Sequence, residues 1–90
     1  MDYEWNPEKA ERNLEKHSVS FEEAATVFDD PLYVDFFDPD HSTEENRYIV
    51  MGLSHSGRIL FVSYIDREGV TRLISAREVT PAERRLYEEG

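Results

Sequence analysis

Arginine is the residue of this sequence with the clearest chemical meaning. Residues 46–90 hold seven arginines, no lysine and six acids, whereas residues 1–45 hold fourteen acids against Lys9, Arg12 and Lys16. The halves therefore carry −11 and +1, which together make the chain's net −10. A guanidinium grips phosphate or carboxylate with a planar fork, while a merely solvated surface uses lysine at least as readily. This segregation points to a local anion site on an acidic body. Arg72 lies in an alternating run beside Val70 and Ile74, and a charge on so apolar a face needs a partner. Arg47 follows Glu45 by two residues, so an extended segment sends both to one side. Arg77 comes after Ser75-Ala76, near the end of the last such run. His17 exchanges protons near neutral pH, and a helix ending there would favour its protonated form.

Other chemistries are excluded by composition. The chain has no cysteine, hence no disulfide, thiolate zinc site or thiol nucleophile. Asp38, Asp40, His41 and Glu44 could touch a divalent ion, but their run lacks the glycine and closing glutamate of a calcium loop. A turn-rich loop explains them better, with His41 and His55 solvated. No phosphate-cradling glycine loop, serine elbow or zinc spacing is present. The expected cofactor and metal content is none.

The elements that must position these groups follow from local signals. Tyr3 and Trp5 alternate around Glu4, as in a short strand or extended arm. Asn6-Pro7 starts a helix, which runs to about His17 with Ala10, Leu14 and His17 on one stripe, and Ser18 breaks it. Ser20-Phe21-Glu22-Glu23 reads as a capping box, with Val19 and Ala24 as its staple. That second helix presents Phe21, Ala24, Ala25 and Phe28, and stops at Asp29-Asp30-Pro31. The period then becomes two. Strands are expected over Leu32–Phe37, Asn46–Ser54, Arg58–Ile65 and Val70–Ser75, the last three joined by turns at His55-Ser56-Gly57 and Asp66-Arg67-Glu68-Gly69. Thr80-Pro81-Ala82-Glu83 starts a final helix that reaches about Tyr87. The expectation is one α+β domain over residues 1–90: two helices, a four-stranded antiparallel meander and a terminal helix.

Ninety residues suit a single small domain with a thin core. No apolar run reaches the roughly 20 residues of a membrane span and no leader opens the chain, so a soluble cytoplasmic protein is expected. A net −10 is the opposite of a generic nucleic-acid binder.

A combination of residues then narrows the field. It comprises Trp5-Asn6-Pro7-x-Lys9-Ala10-x-x-Asn13-Leu14-x-Lys16-His17-x-Val19-x-Phe21-x-x-Ala24, then Asp30-Pro31, Glu45-x-Arg47, Gly52 and Ile74-Ser75-Ala76-Arg77, with Glu83-Arg84 and Tyr87 behind. This pattern resembles the BrnT family of bacterial toxins, the ribonuclease half of a type II toxin–antitoxin pair, over nearly the whole chain. Family members commonly carry glycine where this chain has Ser18. The resemblance implies a compact RelE-like fold and RNA cleavage that arrests translation. It also implies a BrnA-type ribbon-helix-helix antitoxin, through which the toxin would meet operator DNA indirectly.

Metal-free RNA cleavage needs a base for the 2′-hydroxyl, an acid for the departing 5′-oxygen and cations for the charge on phosphorus, and it leaves a 2′,3′-cyclic phosphate. Under that reading Arg47, Arg72 and Arg77 form the phosphate clamp. His17, Glu45 and Tyr87 remain alternative proton carriers, with Tyr87 also a possible stacking platform. The acidic N-terminal helices would receive a basic antitoxin, through Glu8, Glu11 and Glu15. The rival class is a non-catalytic acidic module that binds a basic partner, in which the arginines only hold the fold.

Overall fold

The computed structural model describes residues 2–90. The first strand, β1 (Asp2–Glu4), leads into helix α1 (Pro7–His17). Asn6 caps α1 by accepting from the Glu8 and Lys9 amides at 2.8 and 3.2 Å. Ser18 ends it in the left-handed conformation (φ 57°, ψ 33°), with its amide on Leu14 O. The chain thus stops the helix in the way a glycine would, at a steric cost that serine carries.

Helix α2 (Phe21–Ala25) passes into a 3₁₀ turn (Thr26–Asp29) that Pro31 prevents from continuing. Ser20 Oγ accepts from the Glu23 amide at 3.0 Å, but only half of the expected capping box forms. The Glu23 carboxylate turns instead to Arg58, Ser54 and Ser56 on the hairpin that turns at Gly57. Arg58 in turn donates to Ser18 O at 2.9 Å, so one ion pair joins the end of α1, the start of α2 and the hairpin. The Arg58 hydrogen bond holds the Glu23 carboxyl at about 2.

Strands β2 (Val34–Asp38), β3 (Arg47–Leu53), β4 (Ile59–Arg67) and β5 (Val70–Glu78) follow, with a 3₁₀ turn (Pro39–His41) after β2, and helix α3 (Pro81–Glu89) ends the chain. The sheet has five strands in the order β1-β5-β4-β3-β2. The antiparallel meander is present, but β1 adds a parallel partner to β5, so the sheet is mixed where four antiparallel strands were expected. Three residues are too few for alternation to announce a strand, and a parallel partner from the far end of the chain leaves no local signal.

Helices α1 and α2 cover one face. Val19, Phe21, Ala24 and Val27 pack there on Val50, Leu60, Val62, Tyr64, Leu73 and Ala76, with Trp5 meeting Phe21 edge to face at 5.9 Å. At Gly52 an added Cβ would lie 2.9 Å from Val27 O, so the 3₁₀ turn seats directly on the β3 backbone.

Two irregularities at β5 shape the other face. Between Ser63–Ser75 and Tyr64–Leu73 the register slips, leaving Ile74 without a partner on β4. This bulge reverses the alternation, so Arg72 and Arg77, five residues apart, share the outer face. Ile74 no longer shares a side with Arg72, as simple alternation had implied. The outer edge of β5 is also divided. β1 covers Val70–Arg72, and beyond it the buried Asn13 side chain takes over. Its amide accepts from Ala76 N at 3.0 Å and donates to Ala76 O and Val19 O at 2.8 and 2.9 Å.

Candidate active site

The outer face of the sheet carries an ordered array of side chains, and the strand register gives their rows. Arg47, Ile65 and Arg72 align across β3, β4 and β5, and Asp38 extends that row onto β2. Ile49, Ser63 and Ser75 form the next row, with Phe36 opposite Ile49, and Met51, Phe61 and Arg77 form the third. A depression of about 680 Å³ opens over this surface. Its floor is Ile49, Phe61, Ser63 and Ser75, its wall is Phe36, Phe37 and the Pro39–His41 turn, and its cations are Arg47 and Arg77.

The two arginines differ in how they are held. Arg77 lies with its guanidinium carbon 4.1 Å from the Phe61 ring centre, and grips both Glu83 carboxylate oxygens at 2.7 and 2.9 Å. A further N–H reaches Glu78 O at 3.2 Å, so three of its five N–H groups are engaged. The Arg77 hydrogen bond in turn lowers the Glu83 carboxyl, which also accepts from the Thr80 amide at 2.9 Å and completes the α3 capping box. Arg47 makes no guanidinium hydrogen bond or ion pair among the described residues; only its amide is held, by Ser42 Oγ at 2.9 Å. Arg47 is half-buried and lines the depression with those guanidinium N–H groups unbonded, while its charge adds to the Arg67 hydrogen bond in lowering the nearby Glu45 carboxyl.

Opposite Arg47, at the mouth of the depression, His41 Nδ1 lies 2.8 Å from Asp38 Oδ2. With Asp38 ionised, its carboxylate fixes the proton on Nδ1 and leaves Nε2 as the acceptor facing solvent. His41 is exposed in its turn, as the sequence predicts, and the pairing with Asp38 is what that expectation lacks. The usable signal was the Asp38-Pro39-Asp40-His41 spacing, because a proline-initiated helical turn brings residues i and i+3 together. Among the described residues no group of three or more His, Asp or Glu is arranged to hold a metal ion.

The remaining expected site residues are dispersed. Arg72 lies on the same face but pairs with Glu4 at 3.5 Å. Glu45 is bound in fork geometry by Arg67 at 2.5 and 2.6 Å, which lowers its carboxyl, and it does not line the depression. Tyr87 donates to Asp30 Oδ2 at 2.5 Å, which pushes its hydroxyl up to about 12 and fastens α3 to the loop ahead of β2. His17 lines a separate, shallow groove beside α1, and Ser75 is the residue shared by the two hollows. Arg47 and Arg77 thus line one depression, Arg72 shares the row of Arg47 without lining it, and His17, Glu45 and Tyr87 stand apart.

Residues 5–83 match the family model described as the ribonuclease toxin, BrnT, of type II toxin–antitoxin systems. Among solved structures, the fold is similar to the 1.1 Å crystal structure of the Brucella abortus ribonuclease toxin BrnT, with a TM-score of 0.65. The similarity is at 19% identity, over 89% of this chain and 97% of that one. No curated protein sequence matches the chain. Among the described residues no helix is long and apolar enough to cross a membrane.

Proposed function

Because the chain belongs to the BrnT family, the ribonuclease toxins of type II toxin–antitoxin systems, we propose that the sheet-face depression is where it cleaves RNA. The observation that carries this reading is the convergence of Arg47, Arg77 and the Asp38–His41 pair on one hollow. A phosphodiester seated against Arg47 receives the bidentate donors its oxygens require as charge builds on phosphorus. His41 Nε2 removes the proton of the 2′-hydroxyl, that oxygen bonds to phosphorus, and the P–O5′ bond breaks. The leaving oxygen takes a proton from water or from the imidazolium. The products are a 2′,3′-cyclic phosphate and a 5′-hydroxyl, with no metal in the route. Phe36, which is 46% exposed beside Ile49, offers a ring on which a neighbouring base stacks.

In this reading Arg77, quenched by Glu83, shapes the far wall, and Tyr87 anchors α3 instead of moving protons. The 90 residues act as one RelE-like domain, working in the cytoplasm to arrest translation. The exposed Glu8, Glu11 and Glu15 on α1 receive a basic antitoxin of the BrnA ribbon-helix-helix type, which alone contacts operator DNA.

The test is cleavage of an end-labelled RNA in the presence of EDTA, with the product ends identified. The parent should yield cyclic phosphate, with kcat/KM falling as salt rises. Arg47→Ala should cost about 10²–10³ in kcat/KM, and His41→Ala about 10²–10⁴. Parental rates for both folded variants would refute the assignment of the site, and a folded parent that leaves the RNA intact would favour a non-catalytic acidic module.

A further inference from the structure

Helix α1 of this acidic chain is divided lengthwise by charge. Glu8, Glu11 and Glu15 occupy one exposed stripe, Ala10, Asn13 and His17 face the sheet, and Lys9, Arg12 and Lys16 fill the flank between them. The three cations and His17 border a groove of about 360 Å³ whose other wall is Ile74 and Ser75 of β5. Arg12 and both lysines are exposed, and none makes an ion pair among the described residues, although acids outnumber bases two to one in the chain. Of the seven arginines in residues 46–90, five do pair with carboxylates. Three unpaired cations on one flank therefore stand out from an electrostatic background that would readily neutralise them.

The groove meets the catalytic depression at Ser75, which lines both. From Lys9 to Lys16 the helix advances about 10 Å at 1.5 Å per residue. That length accommodates about three nucleotides of a stacked strand at roughly 3.4 Å each. We infer that the α1 groove is a second RNA subsite, in which Lys9, Arg12 and Lys16 bind the phosphates of single-stranded RNA a few nucleotides away from the scissile bond. This inference rests on the sheet-face reading, since the depression supplies the strand's other end. It also answers a physical difficulty of that reading: a body at −10 repels RNA everywhere except along a track of uncompensated cations. The ligand is read by charge, so the groove imposes length dependence and no base preference.

The probe is a fluorescent, fully 2′-O-methylated dodecamer that cannot be cleaved, titrated by anisotropy over a KCl series. The combined Lys9→Gln, Arg12→Gln and Lys16→Gln variant should weaken binding at least tenfold at low salt. It should also flatten the slope of log K against log salt by about 2, at about 0.7 per phosphate contact. Arg84→Gln with Arg85→Gln, on α3 outside both hollows, controls for net charge and should change the slope far less. With cleavable substrates, the triple variant should lower kcat/KM on a long RNA about tenfold more than on a dinucleoside monophosphate. An unchanged slope, a control equal to the triple variant, or equal losses on both substrates would overturn the subsite. A triple variant that binds RNA normally but loses antitoxin would assign the stripe to protein recognition instead. Failure of the sheet-face reading has a different signature: the parent then cleaves neither substrate, while the dodecamer slopes still report on the groove.

Discussion

Asn13 offers the sharpest test of how α1 is held against the sheet. Its three hydrogen bonds, at 2.8–3.0 Å, are buried, and two of them satisfy both the N–H and the C=O of Ala76. Ala76 faces Val62 in a pair whose backbone groups point away from β4, so no strand replaces Asn13 if it is lost. In Asn13→Ala the three bonds disappear at about 1 kcal/mol each, and stranding a buried donor and acceptor adds a comparable cost. The expected loss is about 3–4 kcal/mol, a large share of the 5–13 kcal/mol typical of about 90 residues. At about 4–8 °C per kcal/mol the melting temperature should fall by roughly 12–30 °C. Asn13→Asp separates donor from acceptor. It keeps the oxygen that receives Ala76 N–H but sets an anionic oxygen against the Val19 and Ala76 carbonyls. It should therefore be worse than alanine at pH 7 and recover relative to alanine near pH 4, where the protonated carboxyl donates again. Calorimetry and urea unfolding of the three proteins at both pH values give the answer. A loss below about 1 kcal/mol for the alanine variant, or an aspartate variant that tracks alanine at both pH values, would refute the reasoning.

Three further outcomes follow from the same geometry. Glu23, held at about 2 chiefly by the Arg58 hydrogen bond, contributes stability that is complete above its unfolded value and lost as pH falls through the folded one; Glu23→Gln should unfold at lower urea than the parent at pH 7 and converge with it near pH 2. Tyr87→Phe removes the hydrogen bond to Asp30 and should cost about 1.5–3 kcal/mol in urea unfolding, while cleavage per folded molecule stays at the parental level. Ser18→Gly relieves a side chain from the left-handed region and should raise stability by about 0.5–1 kcal/mol, seen as a higher melting temperature.

How much of this was readable beforehand depended on whether a feature has a local cause. Helix starts did: Asn6-Pro7, Ser20 and Thr80-Pro81 cap where their residue types say they should, because a cap is satisfied within three residues. The three long strands were readable to within a few residues, through their alternation and the turns at Gly57 and Gly69, both at positive φ. What escaped reading depends on distant contacts. Glu23 had the right spacing for a capping box but found stronger donors on the β3–β4 hairpin. Asn13 could be quoted as part of a pattern, yet its role exists only because β5 passes beside it. At the site, the arginines could be named but not their companions. Glu83 takes Arg77, Glu4 takes Arg72 and Arg67 takes Glu45, each across elements. His41 is legible in the sequence only as a turn residue, because its place with Arg47 in one depression exists only once β2 and β3 lie side by side.

The unpaired Ile74 has a consequence for how this surface tolerates change. A strand counts in twos, and one surplus residue alters the parity of everything on one side of it. Deleting Ile74 would leave Leu73 opposite Tyr64 and Ser75 opposite Ser63 as before, so β5 would alternate without a break and Arg72, Ser75 and Arg77 would stay on the outer face. The surplus residue is therefore where β5 can lose one residue without exchanging its two faces, whereas a deletion that left the bulge in place would turn one side of the strand over.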